Sequence, residues 1–215
     1  VDVPPLHVVS DDDVVARPDF GDRAREILEA CGSGVALHIR APAAGGRRLF
    51  DLARELRVAA DVEGGLILIN DRIDVALAAG AHGVQLGSRS IAPADARSLL
   101  GRGVLIGASV HSGREAVSLA DEVDFFLAGT IYASASHPGR AGAGPGRIRE
   151  VTAAARPCIA IGGIRADRIP HVASAGAVGI AVIRAVWDAP EPARAAIQLL
   201  ERWIQARTPS ATPSD

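Results

Sequence analysis

The chain contains no lysine: its 23 Lys+Arg positions are all arginine, in a sequence of 215 residues. A guanidinium stays protonated at any working pH, so Schiff-base catalysis is excluded, and with it the lysine aldolases and transaldolases. General-base work falls to His, Asp or Glu. Aromatic residues make up only 3%, which leaves no stacking platform for single-stranded nucleic acid and calls for a core of Val, Ile, Leu and Ala. Those side chains suit parallel-sheet interiors. Two cysteines, Cys31 and Cys158, make no disulfide framework. Cys158 lies in an apolar strand pattern and reads as a small buried hydrophobe. A formal net charge of -2 provides no broad basic surface, so nucleic acid is not an expected partner. No apolar run reaches the roughly 18 residues of a membrane span, and the start lacks the basic-then-apolar pattern of a signal peptide. The expectation is a soluble, cytoplasmic protein with no membrane partner.

What is present is a βα alternation from end to end. The segment Gly65–Gly87, GLILINDRIDVALAAGAHGVQLG, reads as one βαβ unit. The apolar run to Asn70 is followed by Asn70-Asp71, read as a cap for the next helix. Gly80 is placed to stop that helix, and Gly83–Leu86 is the second strand. Two strands joined through a helix lie parallel with a right-handed crossover. Asn70 and Asp71 then sit at the carboxyl end of a strand, where α/β proteins build their sites. Further strands are read at Leu6–Ser10, Val35–Arg40, Val104–Val110, Phe125–Gly129, Cys158–Ile161 and Gly179–Ile183. Helices are read near Arg23–Cys31, from Gly45-Gly46 onward, from Pro93, over Gly113–Ala120 and over Pro190–Arg207. Eight strands alternating with helices point to a single (β/α)8 TIM barrel over residues 1–207. A doubly wound sheet is the rival, but no G-x-G-x-x-G follows a strand. The tail Thr208–Asp215, rich in Pro, Ser and Thr, reads as disordered.

In a barrel the residues just past each strand converge on one mouth: Ser10-Asp11, Arg40, Asn70-Asp71, Gln85, Ser109 to His111, Thr130, Gly162-Gly163 and Arg184. Gly162-Gly163, with the strand-eight turn at Ile183-Arg184, reads as a phosphate cradle. The longest connection, Ile131–Gly146, carries Ser134, Ser136 and His137 among several glycines, the composition of a binding loop. His111 and His137 are the acid/base candidates. His38 and Arg40 share one face of strand two. Asp71 either binds magnesium or caps its helix. His7, His82 and His171 are placed on the surface.

The strings Ile69–Leu77 and Ala79–Gly87, with His38–Arg40, Ile106–His111, Gly129–Ser136, Ala160–Ile164 and Gly179–Val186 in register, resemble the thiamine phosphate synthase/TenI superfamily over almost the whole chain. The resemblance implies a TIM barrel, usually dimeric, acting on phosphorylated thiamine precursors. The synthase joins a pyrimidine pyrophosphate to a thiazole phosphate and releases magnesium pyrophosphate. Arg40, Asn70, Asp71 and Ser109 match family positions that grip pyrophosphate or metal. The family's strand-two lysine is Pro42 here, its second metal aspartate is Ser90, its loop lysine is His137, and its pyrimidine-contacting glutamine is His38. These departures place the chain nearer the TenI branch, whose thiazole tautomerases need no metal, although Thr130 stands where a catalytic histidine of that branch lies. The reading taken first is therefore an isomerase of the tautomerase type, with His137 or His111 as base, Arg40 as carboxylate clamp and no cofactor required. The alternatives are thiamine phosphate synthase, with magnesium, and a non-catalytic phosphate-binding barrel. The expected partner is a thiazole phosphate or a related phosphorylated small molecule, and the expected assembly is a homodimer.

Overall fold

The structure is a computed structural model that describes residues 2–134 and 141–208. Eight parallel strands close on themselves in sequence order, β1 to β8. They are β1 Leu6–Val9, β2 Val35–Ile39, β3 Leu66–Asn70, β4 Gly83–Leu86, β5 Leu105–Val110, β6 Phe125–Ala128, β7 Cys158–Ile161 and β8 Gly179–Val182. Register is continuous round the ring, from Val9↔His38 and Asn70↔Gln85 to Ile161↔Ala181 and His7↔Ala181. The chain is thus a single (β/α)8 TIM barrel, as the alternation predicts.

Four strands end one residue sooner than the sequence suggests, because the ladder stops where the loops turn away. Helices form the outer layer: α1 Asp12–Val15, α2 Phe20–Cys31, α3 Gly46–Glu63, α4 Ile73–Ala79, α5 Pro93–Leu100, α6 Gly113–Leu119, α7 Gly146–Thr152, α8 Ile169–Ser174, α9 Arg184–Trp187 and α10 Pro192–Arg207. The short α1, α7, α8 and α9 are not evident in the sequence, since one turn or two shows no 3.6-residue period. The run Asp11-Asp12-Asp13 is not a plain turn. Asp11 caps α1, its side chain accepting from Val14 N. Asn70-Asp71 caps nothing: the residue before α4 is Arg72, and no side chain caps that helix. Asp71 has φ of 62°, which turns its carboxylate away from the helix.

The strands read as unbroken apolar runs because both faces are covered. Leu37 and Ile39 of β2 and Ile67 and Ile69 of β3 face the helices. Ala36, Leu66, Leu68, Leu105, Phe125, Leu127, Ile159 and Ala181 form a separate cluster inside the barrel. By the period of two, the inward row of β2 continues from Ala36 to His38, and that of β3 from Leu68 to Asn70. His7 is the correction here: it is 1% exposed, inside the barrel with its ring centroid 5.3 Å from that of Phe125. His82 is half-buried, accepting from Ile67 N at 3.0 Å, and only His171 of that trio is exposed. No helix of the described residues is long and apolar enough to cross a membrane. Of the tail read as disordered, all but Thr208 lies outside the described residues.

Gly107 marks where the interior is fullest. A Cβ there would lie 2.2 Å from Phe125 Cζ and 2.4 Å from Gln85 Oε1. Gly107→Ala is expected to destabilise by about 1–3 kcal/mol through overpacking. Urea unfolding should show a lower midpoint at unchanged slope; an unaltered midpoint would mean the ring moves aside freely.

Candidate active site

Five strands contribute polar side chains to the interior just below the mouth. His7 Nε2 donates to Pro4 O at 3.0 Å, and His7 Nδ1 meets His38 Nε2 at 2.7 Å. Asn70 stands beside the far side of the His38 ring, and Gln85 pairs with Asn70 in the ladder. Gln85 Nε2 donates to Ser109 Oγ at 3.1 Å and to Leu86 O at 3.3 Å. Three acceptor-capable atoms in this row, His38 Nδ1, Asn70 Oδ1 and Gln85 Oε1, are buried without a hydrogen-bond partner. Burial pushes the His38 imidazole down to about 4. Burial, then the neighbouring His38, pushes His7 well below 6.5, against a smaller lift from the Pro4 carbonyl.

At the rim, Ser10 fixes the end of β2. Its hydroxyl is fully buried, accepts from Arg40 N at 2.9 Å and lies 3.1 Å from the carbonyl oxygens of both His38 and Arg40. Arg40 is half-buried, and among the described residues its guanidinium makes no ion pair. Arg184, the second mouth arginine, is held otherwise: it reaches Asp11 at 2.7 Å, Asp13 at 3.2 Å and Asp188 at 3.5 Å. Its side chain ties the β8 turn to the β1 turn, which leaves its backbone N–H as the group free to face an anion.

Asp71 is gripped from the β4 side. Its Oδ1 accepts from Gly87 N at 3.0 Å and from the Ser90 hydroxyl. Ser90 thus orients the Asp71 carboxylate. Among the described residues no group of three or more His, Cys, Asp or Glu is arranged to hold a metal. One carboxylate with a hydroxyl beside it is a hard-oxygen set that suits magnesium only if substrate oxygens complete the shell, which is how that ion is commonly bound.

The opposite rim is glycine-built. Gly162 and Gly163 have φ of 103° and 61°. A Cβ on Gly162 would lie 2.6 Å from Thr130 Cγ2, and one on Gly163 would lie 2.6 Å from Ala133 O. The β6 loop therefore lies directly on this turn, with Tyr132 N donating to Gly162 O at 3.0 Å. Arg168 closes the turn from behind, donating to Gly163 O at 2.5 Å and stacking 4.5 Å from the Tyr132 ring centroid. Neither Gly162 N nor Gly163 N makes a hydrogen bond among the described residues. Ile183 and Ser134 are half-buried. His111 is exposed at the end of β5, donating from Nδ1 to Gly129 O at 2.7 Å, and its Nε2 makes no hydrogen bond among the described residues. His137 and Ser136 lie outside the described residues. Sequence reasoning misplaced His7 on the surface and passed over Arg168. For His7 a signal existed, because it lies two positions before Val9 on a strand of period two. For Arg168 there was none, since it acts across a turn.

Buried neutral histidines make a pH prediction. Their folded values lie below the unfolded 6.5, so the unfolded chain binds more protons as acid is added, and stability falls. It is fully present above 6.5 and is lost as pH falls from there towards about 4, by about 1.4 kcal/mol per pH unit and histidine. His82, pushed to about 4 by burial and by Arg57, adds in the same direction. Urea midpoints should fall steadily below pH 6.5, and less steeply in His38→Gln. A midpoint flat from pH 7.5 to 5 would contradict the burial of the pair.

A family model described as thiamine monophosphate synthase matches residues 6–186. The thiamine-phosphate synthase of Mycobacterium sp. (strain KMS) is 40% identical over 202 residues, covering 88% of this chain and 89% of that one. The thiamine-phosphate synthase of Methanoregula boonei is 38% identical and covers 94% of both. The solved thiamine phosphate pyrophosphorylase of Pyrococcus furiosus superposes with a TM-score of 0.81 at 29% identity, covering 94% of this chain and 96% of that one. These names overturn the isomerase expectation. The departures at Pro42, Ser90 and His38 sit within a chain that is otherwise close to proteins named as synthases, which are transferases, and the tautomerase reading is set aside. By the family match and by identity over nearly its full length, the chain belongs to the thiamine phosphate synthase/TenI superfamily.

Proposed function

We propose that this protein is a thiamine-phosphate synthase, joining a pyrimidine pyrophosphate to a thiazole phosphate. The supporting observation is about 40% identity to proteins of that name over 88% of the chain. In this reaction the bond from the pyrimidine's exocyclic carbon to the pyrophosphate oxygen breaks, and a bond from that carbon to the thiazole nitrogen forms. Both electrons of the broken bond leave with pyrophosphate.

The residues suit that division. Arg40, fixed through Ser10, supplies a permanent cation where negative charge grows on the leaving group, which is where a preoriented charge lowers the barrier. Ser109 adds a hydroxyl on the same side. Asp71, oriented by Ser90 and Gly87 N, would hold a magnesium ion shared with the pyrophosphate, whose chemistry is to neutralise the departing oxygens. The Gly162-Gly163 turn and the Arg184 N–H face the other rim and receive the thiazole's phosphate. Leu68, Phe125 and Leu127 close the barrel beneath and keep water from below. With no lysine in the chain, Arg40, together with any magnesium that Asp71 would hold, would carry the positive charge that the family pattern spreads over lysines at the positions of Pro42 and His137. We place the enzyme in the cytoplasm, as a homodimer. Val58 and Val62 on α3, 67% and 77% exposed, are apolar surface that a second copy would cover.

The test is to supply both substrates with magnesium and follow thiamine phosphate by mass spectrometry alongside released pyrophosphate. Equal amounts of the two are expected, with loss on chelation. Arg40→Gln and Asp71→Asn should each lower turnover by about 100-fold or more. Failure of the unmodified protein to form product with both substrates present would refute the proposal.

A further inference from the structure

The buried row contains a polarity problem that one residue resolves. Pro4 O can only accept, so His7 Nε2 carries a proton, and in a neutral ring His7 Nδ1 is then a bare acceptor. Both rings are 1% exposed and 2.7 Å apart at their nitrogens, a setting that disfavours charge on either. His38 Nε2 must therefore donate to His7, which leaves His38 Nδ1 as a lone pair directed at the Asn70 carboxamide. Asn70 Oδ1 is buried without a partner beside that lone pair, so with the oxygen on that side an acceptor faces an acceptor. The two ends of a carboxamide are assigned from their surroundings, and turning this one over gives His38 Nδ1 a donor. The NH2 group has a second hydrogen, and Gln85 Oε1, on the strand paired with Asn70, is the other bare acceptor.

We propose that His7 is a positioning residue for the mouth: through one hydrogen bond it fixes His38 as the Nε2–H tautomer, and His38 holds Asn70 with its NH2 inward and its carbonyl oxygen toward the ligand. The bond directions run from ligand to Asn70, to His38, to His7, to Pro4 O, and all are set by that one backbone carbonyl. Asn70 then selects a ligand group that donates, such as the amino group of an aminopyrimidine, over one that only accepts. His7 touches no substrate in this scheme.

The tautomer test does not depend on activity, whereas the kinetic test rests on the synthase reading. With nitrogen-15 in histidine and asparagine at pH 7.5, His38 should show a protonated Nε2, a bare Nδ1, and a coupling across the hydrogen bond from Asn70 Nδ2 to His38 Nδ1. A protonated Nδ1, a tautomer mixture, or no coupling to Nδ2 would overturn the proposal. His7→Phe keeps the ring but removes the acceptor, whereas His7→Asn keeps an acceptor near the place of Nδ1. The KM for the pyrimidine substrate should rise about tenfold in His7→Phe, with kcat within about threefold, and should return most of the way in His7→Asn. Equal kcat losses in both variants with KM unmoved would reduce His7 to a packing role. If His7→Phe does not fold, the spectra of the unmodified protein and the kinetics of His7→Asn decide. Absence of product from the unmodified protein would sink the synthase reading alone, leaving the spectra to judge the relay.

Discussion

Closure of the sheet is the constraint on which everything else depends. A closed parallel barrel has no free edge, so every inward row must end at the same mouth and every outward row must meet a helix. The period of two then divides each strand: Ile67 and Ile69 belong to the helix layer, whereas Leu66, Leu68 and Asn70 climb the interior. Apolar side chains fill the lower interior except at His7, and most of the polar ones begin one step higher, at His38, Asn70, Gln85 and Ser109. Charge that would be costly among Phe125 and Leu127 is carried by Arg40 and Asp71, at the rim where solvent and ligand oxygens reach it.

The absence of lysine gives the site its particular economy. Arginine cannot give up its proton, so no arginine here can act as a base, and each is placed as a fixed cation or a multiple donor. Arg184 ties Asp11 and Asp13 across the β8–β1 seam and holds Asp188 beside it, Arg168 braces the glycine turn, and Arg40 faces the mouth. Ser90 keeps Asp71 aimed without adding negative charge at the rim.

Much of the fold was legible because its signals are local. Apolar runs, the Gly80 stop, and Pro93 at the head of α5 mark the elements, and eight repeats of strand then helix leave little choice of architecture. The site was legible as a set of positions for the same reason: Asn70, Asp71, Ser109, Gly162 and Gly163 lie where strands end. Their chemistry was harder to read. The departures at Pro42, Ser90 and His38 pointed away from the synthase when each was weighed alone, yet about 40% identity across the remaining chain outweighs them.

The sequence by itself determined the barrel, the end at which the site is built, and the exclusion of Schiff-base chemistry, because propensity, periodicity and composition are properties of neighbours along the chain. Only the tertiary structure decided that His7 is buried against His38, that Asp71 answers to Gly87 and Ser90 instead of capping α4, and that Arg184 is bound to Asp11, Asp13 and Asp188. Apart from the Arg184–Asp188 pair, each of these joins residues 16 to 173 positions apart in sequence or turns on a single backbone angle. Hydrogen-bond direction and ion pairing depend on distances between strands, and those exist only once the barrel has closed.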